Sequence, residues 1–185
     1  TVDMSLCAKA KDEFNMGCKA RTVSFTQLYG GKITAALSRQ HPRDLFDCKY
    51  MDISSFEDVK DGFMLCLLGS DKPIIESLQP NEIDQTDALE KQFEGMSDIA
   101  FSYEDYKQAR LQLVKLVQEG MTKADKDFLL SFEEGCPDWS LCSAGDLSKY
   151  PSVQWKLLNI RNLKEHNIQK HEQGIKKLKD FLFPK

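Results

Sequence analysis

The sequence predicts a mainly α protein, a multi-helical body packed on a partial α/β unit that keeps one or two short strands. Three observations lead there. Extended stretches of β-branched or alternating character are confined to the first 25 residues. From residue 26 onward, apolar side chains recur at the three-and-four spacing of helices with one buried face. Segments beginning at Ser55, Ser102 and Thr122 each set a hydroxyl three positions ahead of an aspartate, an arrangement that closes a helix N-terminus reciprocally.

Taken in order, residues 2–7 and 20–25 read as short strands, the second through its Thr22-Val23 pair. A lone pair of strands is marginal without further partners, so the missing strands are expected upstream of Thr1. Leu28, Ile33, Ala36 and Leu37 predict a helix over residues 26–39. His41-Pro42 ends it, and Pro42 suits the first turn of a short helix reaching residue 51. Tyr106, Ala109, Leu113, Val114 and Val117 form a face that ends at Gly120, and Phe128, Leu129 and Phe132 form one that ends at Gly135. Pro151 opens a helix carrying Val153, Leu157 and Ile160. There Trp155 is expected to be buried and to fasten the last two helices to the body, since large aromatics usually serve packing. Ile168, Ile175, Leu178 and Leu182 mark the last amphipathic helix, while Gly95, residues 135–145 and Lys149-Tyr150 read as loops. These elements divide the chain into an α/β remnant over residues 1–53 and a helical domain over 54–185.

Composition narrows the class. Hydrophobic residues make up 41% and charged residues 29%, the balance of a folded globular chain. The longest apolar stretch, residues 62–68, is far short of the ~20 residues of a membrane span. Lys9, Lys11, Asp12 and Glu13 stand where a signal peptide would need an apolar run. A chain opening on Thr1 is expected to be a processed or partial one. Six cysteines follow no metal or disulfide-framework spacing and contain no CxxC, as expected of free thiols in a reducing cytoplasm. With His41, His166 and His171 scattered, no metal held by cysteine or histidine is expected. Charge is unevenly spread. Residues 51–150 carry 9 Lys/Arg against 21 Asp/Glu, whereas residues 1–50 carry 8 against 5 and residues 151–185 carry 8 against 3. A polyanion would therefore meet the two ends and avoid the middle.

One constellation carries chemistry. Lys32 follows a glycine pair within the first turns of its helix. Arg39 and Arg43 flank His41-Pro42, and Asp44 and Asp47 stand three apart, the spacing of neighbours on one helix face. Cations beside carboxylates suit phosphoryl chemistry, in which the protein positions charged oxygens with a divalent cation. A surface lysine and an Arg–Asp ion pair joining two helices would produce the same letters, so the residues alone leave both readings open.

The stretch Leu28-Tyr29-Gly30-Gly31-Lys32, continued by Ala36-Leu37-Ser38-Arg39-Gln40-His41-Pro42-Arg43-Asp44-Leu45-Phe46-Asp47, resembles the AbiEii/AbiGii-type toxins. These are nucleotidyltransferase-like proteins of bacterial abortive-infection and toxin–antitoxin systems, related to the MenT toxins. The likeness continues in Phe93-Glu94-Gly95-Met96, in residues 127–132 with Pro137-Asp138-Trp139, and in residues 153–159. It implies that the α/β remnant belongs to a nucleotidyltransferase unit. By resemblance, Lys32 contacts the triphosphate of a nucleotide and Asp44, or else Asp47, is the acid of the site. Arg39 and Arg43 are assigned to substrate binding. The family's Gly-Ser and Asp-x-Asp motif, which binds Mg²⁺ and the nucleotide triphosphate, has no counterpart here: Val2-Asp3-Met4-Ser5 offers one carboxylate, and Gln27 stands where many relatives have an acid. No complete metal site is therefore expected in this chain, and no bound cofactor.

The resemblance implies a parent toxin that transfers a nucleoside monophosphate from a nucleotide triphosphate to an RNA (tRNA-like) or protein acceptor, with an antitoxin as partner. This chain alone is expected to be inactive. Two alternatives stand beside it: a non-catalytic helical domain for acceptor or partner binding, and a housekeeping nucleotidyltransferase. Fold-level likeness does not separate them.

Overall fold

A computed structural model describes residues 2–51, 53 and 55–184. The boundary drawn at 53/54 falls on Ser54, which lies outside the described residues together with Thr1, Asp52 and Lys185. Strand β1 (Val2–Ser5) pairs antiparallel with β2 (Lys19–Thr22), Val2 opposite Thr22 and Ser5 opposite Lys19. Between them runs α1 (Ala8–Phe14), a helix absent from the sequence reading. It buries no residue, so it has no apolar stripe by which to be recognised. It ends at Asn15, which takes the left-handed conformation with φ 45°.

Helix α2 (Phe25–Arg39) opens on Ser24, whose hydroxyl accepts from the Gln27 N–H. Ile33, Ala36 and Leu37 are buried as expected. Leu28 is 44% exposed. It precedes Ile33 by five residues, which turns it about 140° away from that face. Helix α3 (Pro42–Lys49) starts on Pro42 and stops two residues earlier than expected.

The body follows as α4 (Lys60–Leu68), α5 (Ile74–Leu78), α6 (Thr86–Ala88), α7 (Tyr103–Gly120), α8 (Lys123–Glu133), α9 (Pro151–His166) and α10 (Ile168–Leu182). A π-helical turn, Leu89–Phe93, continues α6. All three anticipated caps close reciprocally. Those at Ser102/Asp105 and Thr122/Asp125 start α7 and α8, and the one at Ser55/Asp58 starts a 3₁₀ turn, Phe56–Asp58. Ile33, Leu45, Phe63, Leu67, Tyr106, Phe128, Phe132, Val153 and Leu178 belong to one continuous core that joins α2 and α3 to the later helices. The fold is thus mainly α with a single two-stranded ribbon among the described residues, matching the predicted class. No helix among them is long and apolar enough to cross a membrane.

Two lysines enter this core with partners. Lys60 Nζ meets Glu57 at 2.8 Å and Asp125 at 3.3 Å. Lys156 Nζ donates to the carbonyls of Leu67 (3.0 Å) and Lys72 (2.7 Å) and to Ser70 Oγ (3.2 Å). It thereby satisfies acceptors at and just beyond the C-terminus of α4, where a helix favours positive charge.

Trp155 corrects the sequence reading. It is 65% exposed, next to Leu158 at 48%. The buried face of α9 consists of Val153, Lys156, Leu157 and Ile160. Trp155 lies two residues from both Val153 and Leu157, about 200° around the helix, and so faces away. The last helices are held instead by that apolar face, by Arg161 Nε donating to the Gly135 carbonyl at 3.0 Å, and by the His171 ring against the Glu133 carbonyl at 3.0 Å. Trp155→Ala is therefore expected to change stability by less than about 0.5 kcal/mol, the range of unengaged surface positions. Iodide should quench Trp155 and spare the half-buried Trp139, which packs on Phe128 and Phe132. A loss of several kcal/mol in urea unfolding would contradict the exposed placement.

Candidate functional site

Chain reversal at His41-Pro42 lays α3 back along α2, so earlier residues of one meet later residues of the other. Lys32 and Arg39 are seven apart, two helical turns, and share a face of α2. Asp44 and Asp47 are three apart and share a face of α3. Lys32 Nζ bonds Asp47 Oδ2 at 2.5 Å, and Arg39 donates to Asp44 Oδ1 at 2.9 Å. Two ion pairs therefore clamp the helices together, with Lys32 on Asp47 rather than on Asp44. The Lys32 and Asp47 side chains are each about one-third exposed, whereas Asp44 is 13% exposed.

Cys48, one turn beyond Asp44, reports the field of this cluster. Burial first, then the charges of Asp44 and Asp47, push its thiol up to about 12 against the opposing charge of Lys32. The thiol is thus protonated and inert near neutral pH.

Asp44 differs from Asp47 in one respect. Its Oδ2 is buried and finds no hydrogen-bond partner among the described residues. An unsatisfied buried acceptor costs roughly 1–3 kcal/mol, more for a charged group, so it is an unusual feature to retain. Around it, Arg39, His41, Arg43 and Asp44 line an open cleft of about 260 Å³. His41 was not among the residues singled out from sequence, yet it organises the cleft. Its Nδ1 accepts from the Arg43 N–H at 3.2 Å, capping α3, and its Nε2 contacts Gln92 Oε1 at 3.1 Å. A histidine directly before a first-turn proline was the available signal. Arg43 is exposed at the mouth of the cleft.

A Mg²⁺ ion tests this donor set. Asp44 Oδ2 is one free carboxylate oxygen of the right hard character. Asp47 is committed to Lys32, and no group of three or more His, Cys, Asp or Glu stands together among the described residues. The residues present do not by themselves make a Mg²⁺ site, and no step below is routed through one.

Neither a curated protein nor a solved structure matches the chain. A family profile does. Over residues 2–157 the sequence matches that of the nucleotidyl transferase AbiEii toxin, type IV toxin–antitoxin system. That span includes the ribbon, the clamp between α2 and α3, the cleft at His41 and the first turns of α9. The chain belongs to the AbiEii family of nucleotidyltransferase toxins, proteins of toxin–antitoxin systems that are paired with an antitoxin.

Proposed function

We propose that this chain supplies the triphosphate-binding and acid-base face of a toxin that transfers a nucleoside monophosphate from a nucleotide triphosphate to an RNA or protein acceptor. The observation that carries it is Asp44, a residue that lines the cleft with two arginines and a histidine and whose buried Oδ2 has no hydrogen-bond partner among the described residues. Arg39 and Arg43 bind phosphate oxygens, for which a planar guanidinium has the matching geometry. In the transfer, the acceptor hydroxyl oxygen forms a bond to the α-phosphorus and the bond from that phosphorus to the bridging oxygen breaks. Pyrophosphate leaves with the electron pair, and Asp44 Oδ2 takes the hydroxyl proton. Lys32 moves from Asp47 to the departing phosphates and stabilises the charge that develops there. Mg²⁺ would join such a reaction by neutralising phosphate charge, through ligands that the described residues do not assemble.

Two outcomes follow. In equilibrium dialysis with labelled nucleotide triphosphates, Arg43→Ala and Lys32→Ala should each weaken binding about tenfold, the scale of one charge-assisted contact. In the presence of Mg²⁺ and total RNA, this chain alone should label no acceptor, because one free carboxylate oxygen replaces the usual metal-binding pair. Unchanged affinity in both variants removes the phosphate-binding role. Labelling of any acceptor shows that the chain carries ligands beyond those named.

A further inference from the structure

A second concavity is reached from the first through the contact of His41 Nε2 with Gln92 Oε1. Glu90, Phe93, Glu94, Gly95, Ala100 and Phe101 are among the residues lining an open hollow of about 360 Å³, within the size range of small-molecule sites. Its floor comes from the π-helical turn Leu89–Phe93, a rare conformation found disproportionately at functional positions. The turn sends Phe93 inward, 6% exposed, and leaves Glu90 and Glu94 at the rim. Gly95, at φ +79°, then bends the chain back over the hollow. Nothing of the core fills the space, although aromatic rings border it: Phe93 and Phe101 lie 5.5 Å apart, and both pack on Phe46 of α3, at 5.1 and 5.4 Å.

Two contacts tie the hollow to the cleft at Asp44. His41 Nε2 meets Gln92, the neighbour of Phe93. Phe46, which supports both bordering rings, lies three residues after Arg43 and so shares its side of α3. The two sites differ in chemistry. The cleft offers Arg39 and Arg43, whereas the hollow is lined by the carboxylates of Glu90 and Glu94, and the nearby Lys49 ammonium, 5.5 Å from the Phe101 ring centroid, is paired with Asp105. A flat, uncharged ring with N–H donors fits, because it can pack against the bordering aromatic rings and donate to Glu90 or Glu94.

We propose that the hollow over the π turn is a nucleobase subsite, taking the base of a nucleotide whose phosphates lie in the Arg39–Arg43 cleft. This rests on the proposed function for the phosphates and adds what reads the base. The base belongs either to the donor nucleotide triphosphate or to a terminal nucleotide of an RNA acceptor, and the two sources are separable.

The test uses the full chain with four nucleoside triphosphates, inorganic triphosphate and a short RNA oligonucleotide as probes, in calorimetric titration. Ala100→Trp fills the hollow from an exposed position, and its thermal unfolding checks the fold. The Glu90→Gln/Glu94→Gln double variant removes the acceptors' charge without adding bulk. At least one nucleoside triphosphate, or the oligonucleotide, should bind the parent protein about tenfold more tightly than inorganic triphosphate, the scale of one stacked base. Ala100→Trp should abolish that advantage and leave inorganic triphosphate unchanged. The double variant should weaken bases bearing exocyclic amino groups most. Loss confined to the triphosphates assigns the donor base, and loss confined to the oligonucleotide assigns the acceptor. Equal binding of nucleoside and inorganic triphosphates, or an advantage that survives both variants, overturns the base subsite and leaves the phosphate cleft standing. No binding of any probe to the parent protein overturns both.

Discussion

Gly62→Ala is expected to destabilise the protein by about 3 kcal/mol, at the upper end for an overpacked core. Intrinsic propensity alone predicts the opposite, because alanine in place of glycine inside a helix gains roughly 1 kcal/mol. The structure reverses the sign because α2 and α4 cross backbone to backbone at this point. A Cβ on Gly62 would lie 2.1 Å from the Thr26 carbonyl oxygen and 2.5 Å from its carbon. On the facing helix, a Cβ on Gly30 would lie 2.2 Å from the Phe63 nitrogen. Neither helix can yield locally, since Ile33, Ala36, Phe63 and Leu67 are fully buried around the crossing. For a chain of this length, about 3 kcal/mol corresponds to a fall in Tm of roughly 6–12 °C. Gly31→Ala is the matched control. Its nearest neighbour is Cys66 Sγ at 3.6 Å, ordinary contact, so it should gain up to about 1 kcal/mol by propensity. Thermal unfolding of the two variants side by side decides the matter. A stabilised Gly62→Ala would show that the helices do not meet as described.

The second large effect concerns pH. Lys156 is 8% exposed, and burial pushes its ammonium down from 10.5 to about 8, with Glu133 and Asp71 opposing. Below pH 8 the lysine is charged in both folded and unfolded chains, and the cost of burying that charge is fully present. Between pH 8 and about 10.5 the unfolded chain holds the extra proton, so stability rises with pH in that window. The rise attributable to this residue is about 3 kcal/mol, from 1.36 kcal/mol per pH unit. The informative quantity is the difference between parent and Lys156→Met. That difference should change by about 3 kcal/mol in favour of the parent from pH 8 to 10.5 in urea titrations. A difference independent of pH would place the ammonium in water and contradict its three partners on the α4 C-terminus.

Much of the fold was legible because local rules decide it. The caps at Ser55, Ser102 and Thr122, the first-turn prolines at 42 and 151, and the faces of α7 and α8 each depend on residues within a turn or two of one another. Where local and tertiary demands diverge, the reading failed. Helix α1 has no buried face and gave no periodic signal. Trp155 was assigned to packing on its chemistry, yet helical phase set it on the side away from the core. The π turn, which buries Phe93 alone, gave no periodic pattern to read.

The candidate site divides in the same way. By itself the sequence determined the residue types, the family likeness, and the placing of two cations and two carboxylates on either side of a tight reversal. Only tertiary structure decided who pairs with whom. Lys32 goes to Asp47 and Arg39 to Asp44, because the reversal at His41-Pro42 runs the helices in opposite directions. It also left Asp44 Oδ2 buried without a hydrogen-bond partner among the described residues and brought Gln92, on the π turn, to His41 across 51 residues. Contacts between residues far apart in the chain depend on how helices cross, and that is settled by the shapes of whole faces rather than by the letters at any one position.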